Sequence, residues 1–360
     1  MEKPVKRITV RDIAKVAGVS HSTVSRALQG SPLVRKGTRD RLVKLAEDMG
    51  YRPDPMLSAL TAYRSRVKLR KQRSAIAFII GPYIADSWKD IIESAHQRAE
   101  KLGFDLQKYI WREDMSPVRQ SEILRSRGIR GIIVGPLTKE NHLIELPLRT
   151  NYFSLVAIGR FISTPRINTV TPNHFGSVRQ AIENLRAKGY KRVGLALLDR
   201  LNAHVDDRIR TAYLGCQSNL PENEQVPVCL ATSEECETEQ IVSWIEKEKP
   251  DAVISYNHIH EHLIDAGLRI PEDIAFASLN LNRRYEGQLA GTNVNDRMVG
   301  QVAVNLINGQ LLIGEIGAPE IRQTLIVDTF WEDGATAPGK TEDSSFQNVL
   351  PAYSSNEIPH

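Results

Sequence analysis

The sequence predicts an all-α amino-terminal head of three short helices, followed by an α/β core of two doubly wound parallel-sheet subdomains. Residues 9–50 carry apolar side chains at helical spacing, with a glycine between the first two helices, as in a helix-turn-helix unit. From Ala75 onward, short apolar β-rich runs alternate with helical segments. Such alternation is typical of parallel sheets covered by helices on both faces, and it has too many units for one sheet.

Each helix of the head has a boundary signal. Thr9 can cap the first helix, and Gly18 supplies the permissive backbone of a tight turn. Ser20 can cap the second helix. The third helix is predicted over residues 37–49, and Gly50 ends it.

Residues 53–74 are predicted to form a connector between the head and the core. Pro53 blocks a helix, whereas Pro55 can begin a short one at its first turn. The stretch 64–73 carries six positive charges in ten residues and cannot bury itself. It contacts phosphate or is a solvated spacer, and both alternatives stay open.

Seven strands and five helices are predicted in the core. The strands are expected at 75–80, 104–110, 129–134, 153–158, 192–197, 252–255 and 274–279. The helices are expected at about 87–102, 116–127, 174–188, 206–219 and 236–248. The domain boundaries follow as a head over 1–52, a connector over 53–74, a core over 75–334 and a disordered tail over 335–360.

Composition narrows the class of protein. The 360 residues are 41% apolar and 25% charged, which is typical of a globular chain. Cys216, Cys229 and Cys236 form no CxxC pair, which argues against a disulfide scaffold and fits a reducing cytoplasm. The amino terminus lacks the apolar region of a signal peptide, and the longest apolar run, 75–80, is too short to span a bilayer. We therefore expect a cytoplasmic protein without a membrane partner.

Charge is distributed unequally along the chain. Residues 1–74 contain 18 lysines and arginines against 6 acidic residues, whereas residues 75–360 carry a net charge of −8. This asymmetry suggests that the basic residues 1–74 bind a polyanion and that the acidic remainder does not. Composition alone leaves a merely soluble basic surface as the alternative.

Residues 9–28, TVRDIAKVAGVSHSTVSRAL, closely resemble the DNA-binding head of the lac repressor (LacI/GalR) family of bacterial transcription regulators. The resemblance continues through Thr38, Leu42 and residues 50–53 without a gap. It implies a homodimer that binds double-stranded DNA at a pseudo-palindromic operator, with one recognition helix in each half-site's major groove.

The resemblance also implies roles for individual residues of the head. His21, Ser22 and Arg26 occupy the base-reading positions, and Arg26 could form a bidentate contact with guanine. The predicted phosphate contacts are Thr9, Thr23, Ser25, Arg35 and Thr38. Leu60 matches the leucine of a hinge helix that wedges into the minor groove, although an ordinary linker remains the alternative.

The core resembles the family's effector domain, which has the fold of periplasmic sugar-binding proteins. The matching segments are 95–104, 130–134, 185–193, 267–275, 295–303 and 331–334. The resemblance implies subdomain crossovers near 163–168, 290–295 and 318–322. It also implies an effector cleft at the carboxyl ends of the strands.

Aromatic, arginine and asparagine side chains at strand ends suit a carbohydrate effector. The candidates are Tyr83, Trp88, Arg160, Arg208, Arg210, Asn257 and Asn280. Two departures from the family matter here: Asn280 replaces an aspartate, and the effector-binding arginine of the family falls near Ile209. They imply a different ligand, with an anionic one among the alternatives, or none.

The resulting prediction is a ligand-responsive transcriptional repressor. The alternative is an architectural DNA-bending protein with a degenerate, ligand-independent cleft. Enzyme function has little support, since the sequence lacks GxxxxGK, GxGxxG, HExxH and GxSxG motifs. His258, His260 and His262 alternate and so point to different faces of a helix, and we expect neither a metal nor another cofactor.

Overall fold

The computed structural model describes residues 8–28, 34–51, 74–83, 87–138, 143–199, 201 and 205–340. The chain forms two units, with the boundary between Gln72 and Arg73. The first unit, the head, contains α1 (Val10–Ala17), α2 (His21–Leu28) and α3 (Lys36–Asp48). The second unit is the α/β core.

The head is held by reciprocal capping and one small apolar core. The Asp12 backbone N–H donates to the Thr9 hydroxyl at 3.3 Å, and the Thr9 backbone N–H donates to the Asp12 carboxylate at 2.8 Å. This capping box starts α1, and Gly18 ends it with a φ of +66°. Ile13, Val24 and Leu42, one from each helix, are fully buried together. The predicted helix-turn-helix head is confirmed.

Strands and helices alternate along most of the core. Its first half contains β1 (Ala75–Ile80), α4 (Ser87–Lys101), β2 (Asp105–Ile110), α5 (Pro117–Ser126), β3 (Ile129–Val134), β4 (Ile144–Glu145), β5 (Ser154–Ile158), β6 (Ile162–Thr164) and β7 (Asn168–Pro172). Next come α6 (His174–Ala187), β8 (Val193–Leu198), α7 (Arg208–Gln217), β9 (Cys229–Ala231), α8 (Glu237–Glu248), β10 (Ala252–Ser255) and α9 (Asn257–Asp265). The last elements are β11 (Ala275–Leu281), β12 (Ala290–Asn293), α10 (Asp296–Ile313), β13 (Thr324–Val327) and β14 (Phe330–Glu332). No helix in the described ranges is long and apolar enough to cross a membrane.

Twelve of the described strands form two six-stranded sheets, and β4 and β6 pair as a separate two-stranded sheet. The first has the order β13-β7-β5-β3-β1-β2, and the second has the order β14-β12-β11-β10-β8-β9. Neighbouring strands are parallel except β12 and β14, which are antiparallel. We call the parts built on them the first and second subdomains. The two predicted parallel-sheet subdomains are therefore confirmed.

Strand β1 shows why its run is continuously apolar. All six of its residues are buried, because helices cover both faces of the first sheet. Ile76 and Phe78 pack on one face, with α4 and α10. Ala77 and Ile79 pack on the other, with Leu124 of α5.

Two of the predicted subdomain crossovers are wrong. The chain leaves the first sheet between β7 and α6, returns between β12 and α10, and leaves again between β13 and β14. The prediction near 290–295 agrees with the second crossing, whereas those near 163–168 and 318–322 come too early. The reason is that β7 and β13 are short strands, with β13 at the edge of the first sheet and β7 beside it. The sequence pattern of β7, NTVTP, lacks the apolar run by which strands were recognised.

The core extends beyond its predicted end at residue 334. Residues 335–340 pack on the second subdomain, so the amino-terminal part of the predicted disordered tail is wrong. Thr336 is buried. Its hydroxyl accepts a hydrogen bond from the Ala290 backbone N–H at 2.9 Å and donates one to the Phe276 carbonyl at 2.8 Å. The Tyr190 hydroxyl donates to the Pro338 carbonyl at 2.7 Å. Residues 341–360 lie outside the described residues.

We expect Thr336→Val to lower the free energy of unfolding of the core by about 2–4 kcal/mol. Valine keeps the shape of threonine but leaves the Ala290 N–H and the Phe276 carbonyl without their hydroxyl partner. Urea unfolding monitored by tryptophan fluorescence measures the change. Thr164→Val, at an exposed threonine of β6, is the matched control and should change stability by less than about 0.5 kcal/mol. Equal effects of the two substitutions would contradict this role of Thr336.

Candidate DNA-binding face and ligand cleft

Helix α2 separates an apolar face from a polar one. Val24 and Ala27 are buried in the core of the head. His21, Ser22 and Arg26, the predicted base-reading residues, are exposed. The helix therefore presents two hydrogen-bonding side chains and one cation on a surface that the head itself leaves open.

The amino end of α2 is tied together by hydroxyl groups. The Thr23 backbone N–H donates to Ser20 Oγ at 3.1 Å, so Ser20 caps the helix as predicted. Ser20 Oγ also lies 2.8 Å from both Ser22 Oγ and Thr23 Oγ1. This network holds two of the predicted DNA-contacting side chains in place at the end of the helix that carries a partial positive charge.

The predicted phosphate contacts occupy unequal positions. The Thr9 hydroxyl donates to the Asp12 carboxylate at 2.6 Å, so its hydrogen is already used within the head. Arg35 is exposed and caps α3 without a side-chain hydrogen bond, as expected for a sequence that lacks a capping serine there. Ser25 and Thr38 are half-buried. Arg35 is therefore the member of this group most open to a phosphate.

The predicted hinge cannot be placed. Leu60 and the basic stretch 64–73 lie outside the described residues. The description resumes at Ser74, directly before β1. The minor-groove role of Leu60 therefore stays a prediction.

The aromatic candidates for the cleft differ in exposure. Tyr83 follows β1 and is 62% exposed. The ring of Trp88, at the start of α4, packs edge-to-face on Phe161 with the centroids 6.0 Å apart. A Cβ at Gly135 would lie 3.0 Å from the Trp88 ring, so the ring packs closely against the backbone of this glycine. Trp88 therefore packs within the first subdomain, and Tyr83 is the more open ring.

Asn257 and Asn280 are brought together, but they bind each other. The Asn257 backbone N–H donates to Asn280 Oδ1 at 2.9 Å, and Asn257 Nδ2 donates to the Asn280 carbonyl at 2.8 Å. The Ser278 hydroxyl donates to Asn257 Oδ1. Asn257 is 6% exposed. This network joins the carboxyl ends of β10 and β11 and uses both polar atoms of the Asn257 amide and the Oδ1 of the half-buried Asn280.

The arginine candidates form a second cluster at the boundary of the subdomains. Arg160, after β5, donates to the carboxylate of Asp206, which precedes α7. Both line a small cavity together with Arg208 and Arg322. Arg210 is exposed on α7 and does not line this cavity. Sequence reasoning missed Asp206 and Arg322, because Arg160, which they meet at this cavity, lies 46 and 162 residues away from them along the chain.

His174 is an uncharged neighbour of this cluster. It is the first residue of α6, directly after the crossing from β7. Burial, and secondly the positive charge of Arg208, lower the pKa of His174 to about 4. At neutral pH, the positive charge in this region therefore belongs to arginines.

A separate polar cavity of about 370 Å³ lies beside the amino end of α10. Asp90 of α4, Arg283, Asp296 and Arg297 are among its lining residues. Burial, and secondly the charge of Asp90, raise the pKa of Asp296 to about 7. Sequence reasoning missed this pair as well, since Asp296 comes near Asp90 only through the packing of α10 on α4.

The three alternating histidines lie on α9. His258 Nε2 is 3.3 Å from Glu237 Oε2, and the rings of His258 and His262 are 5.5 Å apart. His260 instead packs on Phe276. Within the described part of the chain, no three His, Cys, Asp or Glu side chains converge as metal ligands would.

A helix-turn-helix head joined to a core of two parallel-sheet subdomains is the architecture of a DNA-binding regulator with a ligand-binding type of core. A model of bacterial regulatory proteins of the lacI family matches residues 9–54. A model of periplasmic binding proteins and the sugar binding domain of the LacI family matches residues 75–320. The chain belongs to the lacI family of bacterial regulatory proteins.

Individual relatives agree with this family. The HTH-type transcriptional regulator PtxS of Pseudomonas putida is 28% identical over 188 residues, which are 52% of this chain and 52% of PtxS, so the chain spans about half of that relative's length. The lac repressor dimer bound to operator and the anti-inducer ONPF has a TM-score of 0.54 at 19% identity, covering 92% of this chain and all of that one. The CelR–cellobiose complex has a TM-score of 0.55 at 17% identity with the same coverage. The two structures establish the fold, and the names of all three describe regulators rather than enzymes.

We expect His174 to make the free energy of unfolding fall as the pH drops from about 6.5 toward about 4. The unfolded chain binds this proton near pH 6.5, whereas the folded chain binds it only near pH 4, so acid favours unfolding within that window. In His174→Gln the decline should be shallower, as measured by urea unfolding at pH steps across the window.

His96→Gln, at an exposed histidine of α4, is the control and should keep the wild-type decline. An NMR titration of the His174 ring gives a direct reading. A midpoint near 6.5 in the folded protein would contradict the prediction.

Proposed function

We propose that this chain is a sequence-specific transcriptional repressor that acts in the cytoplasm as a homodimer on a pseudo-palindromic operator. The observation that carries the proposal is the polar face of α2. His21, Ser22 and Arg26 are exposed there, opposite the buried Val24 and Ala27. The match of the head to the lacI family supports the same function.

The chemistry of that face suits base recognition. In the major groove, the Arg26 guanidinium could donate two parallel hydrogen bonds to guanine O6 and N7. The short side chain of Ser22 and the ring of His21 supply groups that donate or accept at base edges. Arg35, Thr23, Ser25, Thr38 and Thr9 would contact phosphates, and these contacts fix the register of the head on the duplex.

The proposal includes a small-molecule effector, a sugar or sugar derivative, bound between the two subdomains. The match of residues 75–320 to a sugar binding domain supports it, as does cellobiose in the structurally similar CelR. An effector that binds one arrangement of the subdomains more tightly would shift operator affinity, because the two sites are then coupled.

The alternative, a ligand-independent protein that bends DNA, has one observation in its favour. Asn257 and Asn280 hydrogen-bond to each other rather than facing an open cleft. A thermal-shift screen with sugars, sugar phosphates and nucleosides separates the alternatives. A stabilising compound that also changes DNA affinity supports the repressor, whereas a screen without any stabilising compound supports the architectural protein.

Selection of bound fragments from a random duplex library, with the purified full-length chain, tests DNA recognition. The expected result is a two-fold symmetric motif with two half-sites, because two recognition helices related by symmetry read the same sequence. Binding without any enriched sequence would contradict sequence-specific function.

We expect Arg26→Gln to weaken binding to the selected operator by roughly 5- to 150-fold, or about 1–3 kcal/mol, and to relax the preference at one base position. The reason is that a neutral amide cannot replace the bidentate guanidinium contact. The measurement is a titration of operator and of single-base variants at fixed salt.

Arg41→Gln removes the same charge from an exposed position of α3 and is the control. It should lower affinity for all sequences alike, without a change of preference. Unchanged base preferences in Arg26→Gln would remove Arg26 from the base-reading group.

A further inference from the structure

The cavity between the ends of β5 and α7 has an unusual lining. Three arginines reach it: Arg160 after β5, Arg208 at the start of α7 and Arg322 before β13. Asp206 is the one acidic residue among the described side chains that line it. Two subdomains therefore place three positive charges and one negative charge around the same space.

The single carboxylate is already engaged. Asp206 Oδ1 accepts a hydrogen bond from Nη1 of Arg160 and forms an ion pair with it. Within the described ranges, neither Arg208 nor Arg322 forms an ion pair with an acidic side chain. Since His174 is neutral at physiological pH, the cluster keeps a net charge of two positive units.

The cavity beside this ion pair is small. Its volume is about 20 Å³, which is enough for about one water molecule. A sugar-sized molecule therefore needs part of the lining to move. The Asp206 carboxylate, which is about half exposed, already occupies the position of an anion at Arg160, so it is the group that an incoming anion would replace.

The backbone at this point favours such a movement. Asp206 and Asp207 have φ values of 62° and 54°, in the left-handed region that aspartate tolerates as a single residue but seldom at two successive positions. Two successive residues keep this conformation only where contacts hold them. The ion pair with Arg160 is one such contact, so its loss would allow the segment before α7 to relax.

We infer that the cleft takes an anionic small molecule, whose carboxylate or phosphate displaces Asp206 and binds Arg160, Arg208 and Arg322. Guanidinium groups bind both anions through paired charge-assisted hydrogen bonds. Arg160 belongs to the first subdomain and Asp206 to the second, so the exchange replaces a direct link between subdomains with one that passes through the ligand. This inference rests on the proposed function and names the class of its effector.

The test compares two anionic probes with a neutral one on the full-length chain. Glucose 6-phosphate and gluconate represent phosphate and carboxylate, and glucose is the neutral probe, all at matched ionic strength. The shift of the thermal unfolding midpoint with probe concentration gives an apparent affinity. At least one anion should stabilise the protein more than glucose does, and the better of the two identifies the anionic group.

Asp206→Asn removes the competing charge while keeping a residue that tolerates the left-handed backbone. We expect at least a tenfold higher affinity for the better anion in this variant than in the wild type. Arg208→Gln should lower that affinity at least tenfold. Arg166→Gln, at an exposed arginine of the same core outside the cavity, is the matched control and should leave it unchanged.

Three results would overturn the inference: equal binding of glucose and the anions, equal anion affinity in Asp206→Asn and the wild type, or no anion binding in either protein. Operator binding of the same preparations is measured in parallel. A wild type that bound the anion but failed to bind DNA sequence-specifically would contradict the proposed function and leave the anion site supported. A wild type that bound DNA sequence-specifically but did not bind either anion would contradict only the present inference.

Discussion

The packing of α10 on α4 is the contact on which the architecture of the core depends. A Cβ on Gly300 would collide with the Ile91 carbonyl oxygen and with the Ser94 hydroxyl, so the two helix backbones approach closely. Val299, Ala303, Val304 and Ile307 of α10 are buried in the apolar cluster of the first sheet. Helix α10 follows the last parallel strand of the second sheet. Its return to the first sheet makes both subdomains discontinuous in sequence and joins them by three crossings.

This connectivity determines where side chains from distant parts of the chain meet. The parallel strands of an α/β sheet place their carboxyl ends at one edge, which is where such folds bind ligands. Arg160 and Asp206 come from different subdomains and meet at this boundary, whereas Asn257 and Asn280 meet within the second subdomain. In our inference a ligand replaces Asp206 at Arg160, whereas the asparagine pair is part of the framework of the second subdomain. Residues of one chemical type at strand ends therefore have different roles.

The head is organised by a different principle. Its apolar core is small, and much of its definition comes from local hydrogen bonds at helix ends, namely the Thr9–Asp12 box and the Ser20 cap. Such bonds join residues at most three positions apart. A short sequence motif is therefore enough to specify the turn and the exposed face of α2. The polar residues of that face are left open because Val24 and Ala27 satisfy the packing of the helix.

The sequence by itself determined the elements whose signals are local. The three helices of the head, the strand-helix alternation and the buried runs such as β1 follow from periodicity, caps and turns, and the structure confirms them. The short strands β4, β6, β7, β9, β12, β13 and β14 were not predicted, because their pairing depends on tertiary structure rather than on a local apolar run. The packing of residues 335–340 was not predicted either, because these residues carry no periodic pattern and their partners are far away in sequence. Tertiary structure alone decided the crossings after β7 and after β13, the Arg160–Asp206 ion pair and the proximity of Asp296 to Asp90. The physical reason is that each of these features depends on residues far apart in sequence, which only the packing of the two sheets and their helices brings together.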